Sequence, residues 1–199
     1  SYNRSTFHMR GLCISMLVVL AAPAGAAAVG CRDDAASWLV GRGELLADRG
    51  CGGFLLTTDA EDHAESLGDV RWKEPITLPY ELELRWQRLD PGGGRTMWLT
   101  LIGGDLLFKD GAVGWYVDPA QLRRDGYRRI PGLSSHDVHR FAIRQTAELV
   151  ELRIDGKLAA RIPFRPGRRR GRVGIGFNGA RGYRALVRFS DFVVRSGAQ

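Results

Sequence analysis

The chain has 199 residues, of which 44% are hydrophobic and 9% aromatic, enough apolar material for a globular core and too much for an intrinsically disordered chain. Its 26 glycines favour a turn-rich fold over a helical one, because glycine is the worst ordinary helix former. The net charge of +7 comes mainly from arginine, and without any nucleic-acid-binding motif this modest surplus argues against nucleic acid as a partner.

The N-terminal segment has the features of a secretory signal peptide. Arg10 precedes an apolar stretch over residues 12–22, and small residues follow at 24–28. The apolar stretch is shorter than the ~20 residues that a membrane span needs. We therefore predict an upstream extension and signal peptide over residues 1–28, no integral membrane span, and a secreted or periplasmic domain over residues 29–199.

Two cysteines, Cys31 and Cys51, remain after removal of such a signal. In an exported chain they favour one disulfide. The alternative is a lipid anchor at Cys31, because Val29-Gly30-Cys31 loosely resembles the end of a bacterial lipobox. The sequence leaves open whether this protein is a lipoprotein or carries the disulfide.

From Trp38 onward, apolar and polar residues alternate with a period of two, and Gly, Pro and Asp separate the alternating stretches. Within residues 80–87 the even positions are apolar and the odd ones are Glu, Arg or Gln. Residues 118–135 are less regular, and the only helical signal is a turn or two near residues 59–67. Further strands are predicted at residues 96–102, 106–108, 114–117, 139–144, 148–154, 157–162, 172–178 and 185–195. About ten strands without helices predict an all-β, antiparallel two-sheet sandwich.

The C-terminal half carries a recognisable pattern. The strand HRFAI (139–143) is followed by ELRIDGK (151–157), GRVGIGF (171–177) and FSDFVV (189–194). This pattern resembles the end of concanavalin A-like lectin/glucanase domains, including laminin-G-like modules and bacterial sugar-hydrolase-type domains. The resemblance implies a jelly-roll sandwich and a non-catalytic, lectin-like module that binds a glycan or polysaccharide. A structural domain that binds another protein is a further possibility.

The alternative is a glycoside-hydrolase-like enzyme, for which Glu81 and Glu83 are the catalytic candidates. They share one strand face about 7 Å apart at Cα, and side-chain rotation brings such carboxyls to the ~5–5.5 Å of retaining glycosidases. Glucanases of this fold carry E-x-D-x-x-E, whereas here Leu84, Arg85 and Trp86 follow Glu83. The preferred interpretation of the two glutamates is a solvated strand face, without a catalytic role.

Sugar recognition uses aromatic faces for pyranose rings, and amide, guanidinium or carboxylate groups for hydroxyls. Tyr183, Asn178 and Arg181, in and beside a loop between two strands, are the first ligand-binding candidates, and further aromatic ones are Trp98, Trp115, Tyr116 and Tyr127. A core position explains either tryptophan equally well.

An acidic cluster includes Asp59, Glu61 and Asp62. Such clusters can bind Ca²⁺, and some concanavalin A-like domains do, but the spacing matches no calcium-loop motif. We therefore predict a solvated helix or loop and no cofactor, with Ca²⁺ as the alternative. Arginine-rich stretches at residues 123–129 and 168–172 are likewise interpreted as solvated loops, with an acidic polysaccharide as the alternative partner.

Residues 174–179 match G-x-G-x-x-G but lie within a predicted strand, with no helix following. This context argues against a nucleotide site. The glycines instead predict either close packing or an open sheet face.

Overall fold

The computed structural model describes residues 28–29, 35–48, 53–58, 67–90, 96–116, 126–179 and 184–197. Apart from one short 3-10 turn at Ala35–Ser37, the regular elements in these ranges are strands. In chain order they are β1 (Ala28–Val29), β2 (Trp38–Arg42), β3 (Glu44–Asp48), β4 (Gly53–Thr57), β5 (Leu67–Trp72), β6 (Ile76–Thr77), β7 (Tyr80–Arg88), β8 (Thr96–Leu101), β9 (Gly104–Lys109), β10 (Ala112–Tyr116), β11 (Gly126–Arg129), β12 (His139–Gln145), β13 (Leu149–Ile154), β14 (Lys157–Pro163), β15 (Arg170–Gly171), β16 (Gly174–Asn178) and β17 (Leu186–Ser196).

The strands form two large antiparallel sheets and one small one. The eight-stranded sheet runs β14-β13-β12-β7-β17-β4-β3, with β1 also paired to β17. The seven-stranded sheet runs β11-β10-β9-β8-β16-β5-β2, and β15 pairs with β6. One hydrophobic core draws residues from both large sheets. The predicted all-β two-sheet sandwich is confirmed.

Alternation places the core between the sheets as the sequence predicts. Trp86 of β7 is 1% exposed, and its ring lies 5.1 Å from Phe108 of the opposite sheet and 4.6 Å from Phe141 of its own. A second aromatic cluster centres on Trp38, whose ring lies 4.6 Å from that of Phe192. Edge-on and tilted rings at these distances add packing energy to the burial of their area.

A β-bulge in β17 explains an irregularity in the sequence. Phe189 and Phe192 are three positions apart and both are buried. In a regular strand, residues three positions apart point to opposite faces of the sheet. The register against β7 shifts between Ser190 and Val193, and Asp191 takes a positive φ of 52°. The extra residue of the bulge shifts the alternation by one position, so that Phe192 and Val194 point into the core.

The strands missing from the sequence prediction include β3, β5 and β11. β5 includes Gly68 and Asp69, both weak strand formers, yet it lies inside the seven-stranded sheet between β16 and β2. β11 lies in the stretch predicted to be irregular, and that prediction was wrong for residues 126–129. Pairing with a neighbouring strand outweighs local propensity at these positions.

Several predictions lie outside the described residues. These are the signal peptide, Cys31 and Cys51, the acidic cluster of Asp59, Glu61 and Asp62, and the loop residues Arg181 and Tyr183. Within the described part of the chain, no helix has the length and apolar character needed to cross a membrane.

Candidate functional site

The outward face of the seven-stranded sheet carries an aromatic side chain at its centre. On β8 the residues Met97, Leu99 and Leu101 are buried, whereas the residues between them face outward. Trp98 is one of these, and the register places it beside Leu107 of β9 and Gly176 of β16.

Gly176 permits the position that the Trp98 ring adopts. A Cβ at Gly176 would collide with the Cε2, Cζ2 and Nε1 atoms of the indole, so the ring rests against the backbone of β16. Trp98 remains half-buried. Of the two interpretations of these glycines, close packing therefore holds at Gly176, because an aromatic ring covers it.

A shallow pocket of about 260 Å³ adjoins the ring. Two small residues on β10, Ala112 and Gly114, line it. At one end the side-chain Oδ1 of Asn178 accepts a hydrogen bond of 2.7 Å from the Thr96 amide, which fixes the orientation of the Asn178 amide group. We call the whole surface the Trp98 platform, and its pocket is lined by Thr96, Trp98, Leu107, Lys109, Ala112, Gly114, Tyr116 and Asn178.

A partly desolvated carboxyl lies next to the pocket. The register places Asp105 of β9 between Thr100 of β8 and Tyr116 of β10. Burial raises the pKa of Asp105, and the hydrogen bond with Thr100 and the charge of Arg71 offset this only in part. A carboxyl that has lost part of its water gains from a hydrogen-bond donor such as a sugar hydroxyl.

The structure brings three of the ligand candidates together on this face, Trp98, Tyr116 and Asn178. Trp115 does not join them, because its register position is opposite Leu106 on the core side of β10, and it packs partly against the core. Tyr116 faces outward because it shares its phase along β10 with Gly114 rather than with buried Val113. The sequence analysis missed Asp105.

Glu81 and Glu83 lie on the outward face of the other large sheet, among arginines. Glu83 accepts hydrogen bonds from the guanidinium groups of Arg140 and Arg195, the latter at 2.8 Å. Glu81 is 3.9 Å from Arg144. This solvated sheet face carries a network of ion pairs.

The electrostatics of Glu83 oppose a role as general acid. The hydrogen bond from Arg140, followed by that from Arg195, lowers the pKa of Glu83 below its ordinary value. A catalytic acid on a glycosidase needs a raised pKa, so that it is protonated at neutral pH.

The Glu83 pairing predicts a pH-dependent contribution to stability. Because its folded pKa is below the ordinary value of 4.5, the contribution is present above that pH and disappears as the pH falls through the folded pKa. We expect Glu83→Gln to lower the free energy of unfolding by no more than about 1 kcal/mol near pH 7, because solvent screens the pair.

Chemical denaturation of both proteins between pH 7 and pH 3 checks this expectation. The difference should shrink towards zero at the acidic end. Glu81→Gln is the matched control and should change stability less, because the Glu81 pair is longer and more exposed. A constant difference at all pH values would contradict the assignment.

Asp69 and Asp105 both face outward on the seven-stranded sheet, but their strands, β5 and β9, are three strand spacings apart. This is about 14 Å between backbones, wider than the ~5–5.5 Å of retaining and the ~6.5–9.5 Å of inverting glycosidases. Among the described residues, no group of three or more His, Cys, Asp or Glu side chains is placed to hold a metal ion.

Comparisons with solved structures define the class of fold. The chain superimposes on a native glycosidic hydrolase with a TM-score of 0.60 and 15% identity, covering 83% of this chain and 93% of that one. It matches the carbohydrate-binding module CBM66 from Bacillus subtilis with a TM-score of 0.62 and 10% identity, over 80% and 96% of the two chains. A Bacillus licheniformis β-glucanase gives 0.62 and 12%, over 83% and 94%.

No family model and no curated protein matches the sequence. The structural matches are to jelly-roll sandwiches, and at these identities they show the fold alone. This protein has the concanavalin A-like jelly-roll fold, as its C-terminal sequence pattern predicted.

Proposed function

We propose that this protein is a non-catalytic, lectin-like carbohydrate-binding module, and that the Trp98 platform holds the saccharide. The observation that carries the proposal is the half-buried, outward-facing Trp98 ring resting on Gly176 beside a shallow polar pocket. An indole supplies the apolar face on which a pyranose ring stacks.

The polar groups around the ring fit the hydroxyls of a sugar. Asn178 and Thr96 lie at one end of the pocket, Lys109 and Tyr116 also line it, and the Asp105 carboxyl lies alongside. A rigid sheet holds these groups, which reduces the entropy lost on binding. A shallow site on a sheet face suits a chain of sugar units better than a small compact ligand.

The structural neighbours are compatible with this function, since one is named as a carbohydrate-binding module, while others are named as a glucanase and a glycosidic hydrolase. An enzymatic function would need a pair of carboxyls with different pKa values. Glu83 has a lowered pKa and lies in the ion-pair network, which favours the binding module over the enzyme.

We expect Trp98→Ala to weaken binding to a recognised polysaccharide at least about tenfold, because it removes the stacking surface. Affinity electrophoresis of the domain against a panel of neutral and acidic polysaccharides measures this, with released reducing ends assayed in the same samples. Tyr116→Ala is a second variant on the same pocket.

Leu46→Ala is the matched control, because Leu46 is an exposed apolar residue on the other sheet. It should bind as the wild type does. Saccharide release that disappears in Glu81→Gln or Glu83→Gln would refute the non-catalytic proposal. Unchanged binding in folded Trp98→Ala would refute the platform as the site.

The proposal includes an exported protein, with the signal peptide removed and Cys31 either lipidated or joined to Cys51. The mass of the mature chain from a secreting host distinguishes the two states, because lipidation adds acyl mass and the disulfide removes two hydrogens. Ala28 pairs with Arg195 in β1, so cleavage after Ala26 keeps this strand whole, whereas cleavage after Ala28 shortens it.

A further inference from the structure

A second cavity, of about 430 Å³, opens between the edges of the two large sheets. One wall is the edge strand β11 with the turn at residues 130–133, and the other is the β13–β14 hairpin at residues 154–159. We call it the edge cleft. Its volume is within the ~300–1,000 Å³ of small-molecule sites, and it shares no residue with the pocket of the Trp98 platform.

Two cations occupy core-facing register positions in this cleft. Arg128 pairs across the sheet with Val113, and Lys157 pairs with Ile154. Both partners are buried apolar residues, so the two cations lie on the core-facing side of their strands. Both side chains remain exposed, which spares them the cost of burying an unpaired charge.

The carboxylate of the cleft is already engaged. Asp155 Oδ2 accepts a hydrogen bond of 2.7 Å from His139 Nδ1, and Oδ1 accepts one of 2.9 Å from the Arg140 amide. His139 Nε2 accepts the Ser134 amide at 3.3 Å, which assigns the ring proton to Nδ1. Burial by itself would raise the pKa of Asp155, but the hydrogen bonds from the Arg140 amide and from His139, together with the charge of Lys157, lower it, so the carboxylate stays ionised.

The cleft therefore has a positive surplus. Arg128, Arg129 and Lys157 line it against one acid, and within the described residues no carboxylate forms a salt bridge with either arginine. Guanidinium groups bind oxyanions such as carboxylates and sulfates through paired hydrogen bonds.

The cleft also offers apolar surface beside the cations. Leu158 is 45% exposed, and Ile130, Pro131 and Ala159 line the same cavity. A free inorganic anion gains nothing from such surface, whereas the C–H face of a sugar ring does. The combination of cations and apolar surface fits an anionic group carried on a saccharide.

We propose that the edge cleft is a second binding site, specific for an acidic saccharide whose carboxylate or sulfate pairs with Arg128 and Lys157. The proposal rests on the proposed function in assuming that the protein binds saccharides. It adds the class of ligand and a site separate from the Trp98 platform.

Calorimetric titration with trigalacturonate and with its neutral methyl ester tests the proposal. We expect the wild-type chain to bind the acid at least about tenfold more tightly than the ester, with the difference shrinking as salt is raised. Arg128→Gln/Lys157→Gln should abolish this preference and keep the thermal unfolding midpoint, because both side chains are exposed. A sulfated galactose trimer distinguishes sulfate from carboxylate as the preferred group.

Arg165→Gln/Arg168→Gln is the matched control, because it removes the same charge from exposed arginines outside the cleft. It should keep the preference. Three outcomes would overturn the edge-cleft proposal. They are equal binding of the acid and the ester, an unchanged preference in the Arg128→Gln/Lys157→Gln variant, and binding of inorganic sulfate as tight as that of the acid.

The two proposals fail separately. If the protein binds neutral glycans through Trp98 and shows no preference for the acid, the edge-cleft proposal is refuted and the platform proposal is supported. A preference for the acid that persists in Trp98→Ala, without neutral-glycan binding by the wild type, supports the edge cleft and refutes the platform.

Discussion

Replacing Asp90 with alanine is expected to lower the free energy of unfolding by about 3–5 kcal/mol, because the buried guanidinium of Arg88 loses its counterion. The Arg88 side chain is 2% exposed and that of Asp90 is 13% exposed. The pair is bidentate, since Nε of Arg88 donates to Oδ1 at 3.0 Å and Nη2 donates to Oδ2 at 2.7 Å. Little water is available to take the place of the carboxylate.

The same carboxylate joins separate parts of the sandwich. Asp90 Oδ1 also accepts the Leu186 amide at 2.9 Å, at the start of β17. Its partner Arg88 is fixed independently, because the Arg88 backbone amide donates to the Ser135 carbonyl at 2.7 Å, in the segment before β12. Loss of Asp90 therefore removes an anchor at the end of β7 as well as a charge.

Urea denaturation of matched variants measures this effect. Asp90→Asn keeps the shape but not the charge and should lose less than the alanine variant. Arg85→Gln breaks the Arg85–Asp191 pair, whose side chains are more than half exposed, and should cost about 0–1 kcal/mol. A loss in Asp90→Ala no larger than that in Arg85→Gln would show that the buried pair is not a major source of stability.

Replacing Gln145 with leucine is expected to cost about 3–4 kcal/mol, because it leaves several buried polar groups without partners. Gln145 is 0% exposed. Its Oε1 accepts the Tyr80 hydroxyl at 2.6 Å and the Ile102 amide at 3.2 Å, and its Nε2 donates to the Ile102 carbonyl at 2.8 Å. Gln145 and Tyr80 belong to the eight-stranded sheet, whereas Ile102 lies in the β8–β9 turn of the other sheet.

This network is a polar link between the two sheets inside an apolar core. Burial raises the pKa of Tyr80 far above its ordinary value, so its hydroxyl remains a donor at all physiological pH values. Tyr80→Phe removes one hydrogen bond and leaves Gln145 paired with Ile102, so we expect a smaller loss of about 1 kcal/mol.

Thermal and urea unfolding of the variants check the ranking. Gln87→Leu is the matched control, because Gln87 makes an exposed hydrogen bond of 2.8 Å to the His136 carbonyl and water can replace it. Its cost should stay within about 0.5 kcal/mol. Equal losses in Gln145→Leu and Gln87→Leu would contradict the importance of the link.

Much of the fold was predictable from local patterns. Period-two alternation identified β7, β8, β12, β13, β14, β16 and β17. In each of these strands every second side chain faces the shared core, and the side chains at those positions must be apolar. The same pattern predicted the burial of Trp86. It failed for β5, where Gly68 and Asp69 interrupt the signal and the neighbouring strands supply the stabilising contacts.

The candidate sites were less predictable. The sequence analysis left Trp98 open between a core and an outward position, and its contact with Gly176 depends on the pairing of two strands that are far apart in the sequence. Asp105 and Tyr116 carry no local sign of their proximity to Trp98. The edge cleft needs residues from β11 and from the β13–β14 hairpin, which lie at the edges of different sheets.

By itself, the sequence determined an all-β sandwich, its main core positions, and through its C-terminal pattern the concanavalin A-like class, because alternation and turn chemistry are local properties of the chain. Only the tertiary structure decided which exposed residues share a surface. It paired Glu83 with arginines, brought Trp98 and Asn178 onto one face, turned Trp115 towards the core, and set Arg128 and Lys157 on facing edges. Strand order and register fix these neighbourhoods, and both depend on contacts between residues distant in sequence.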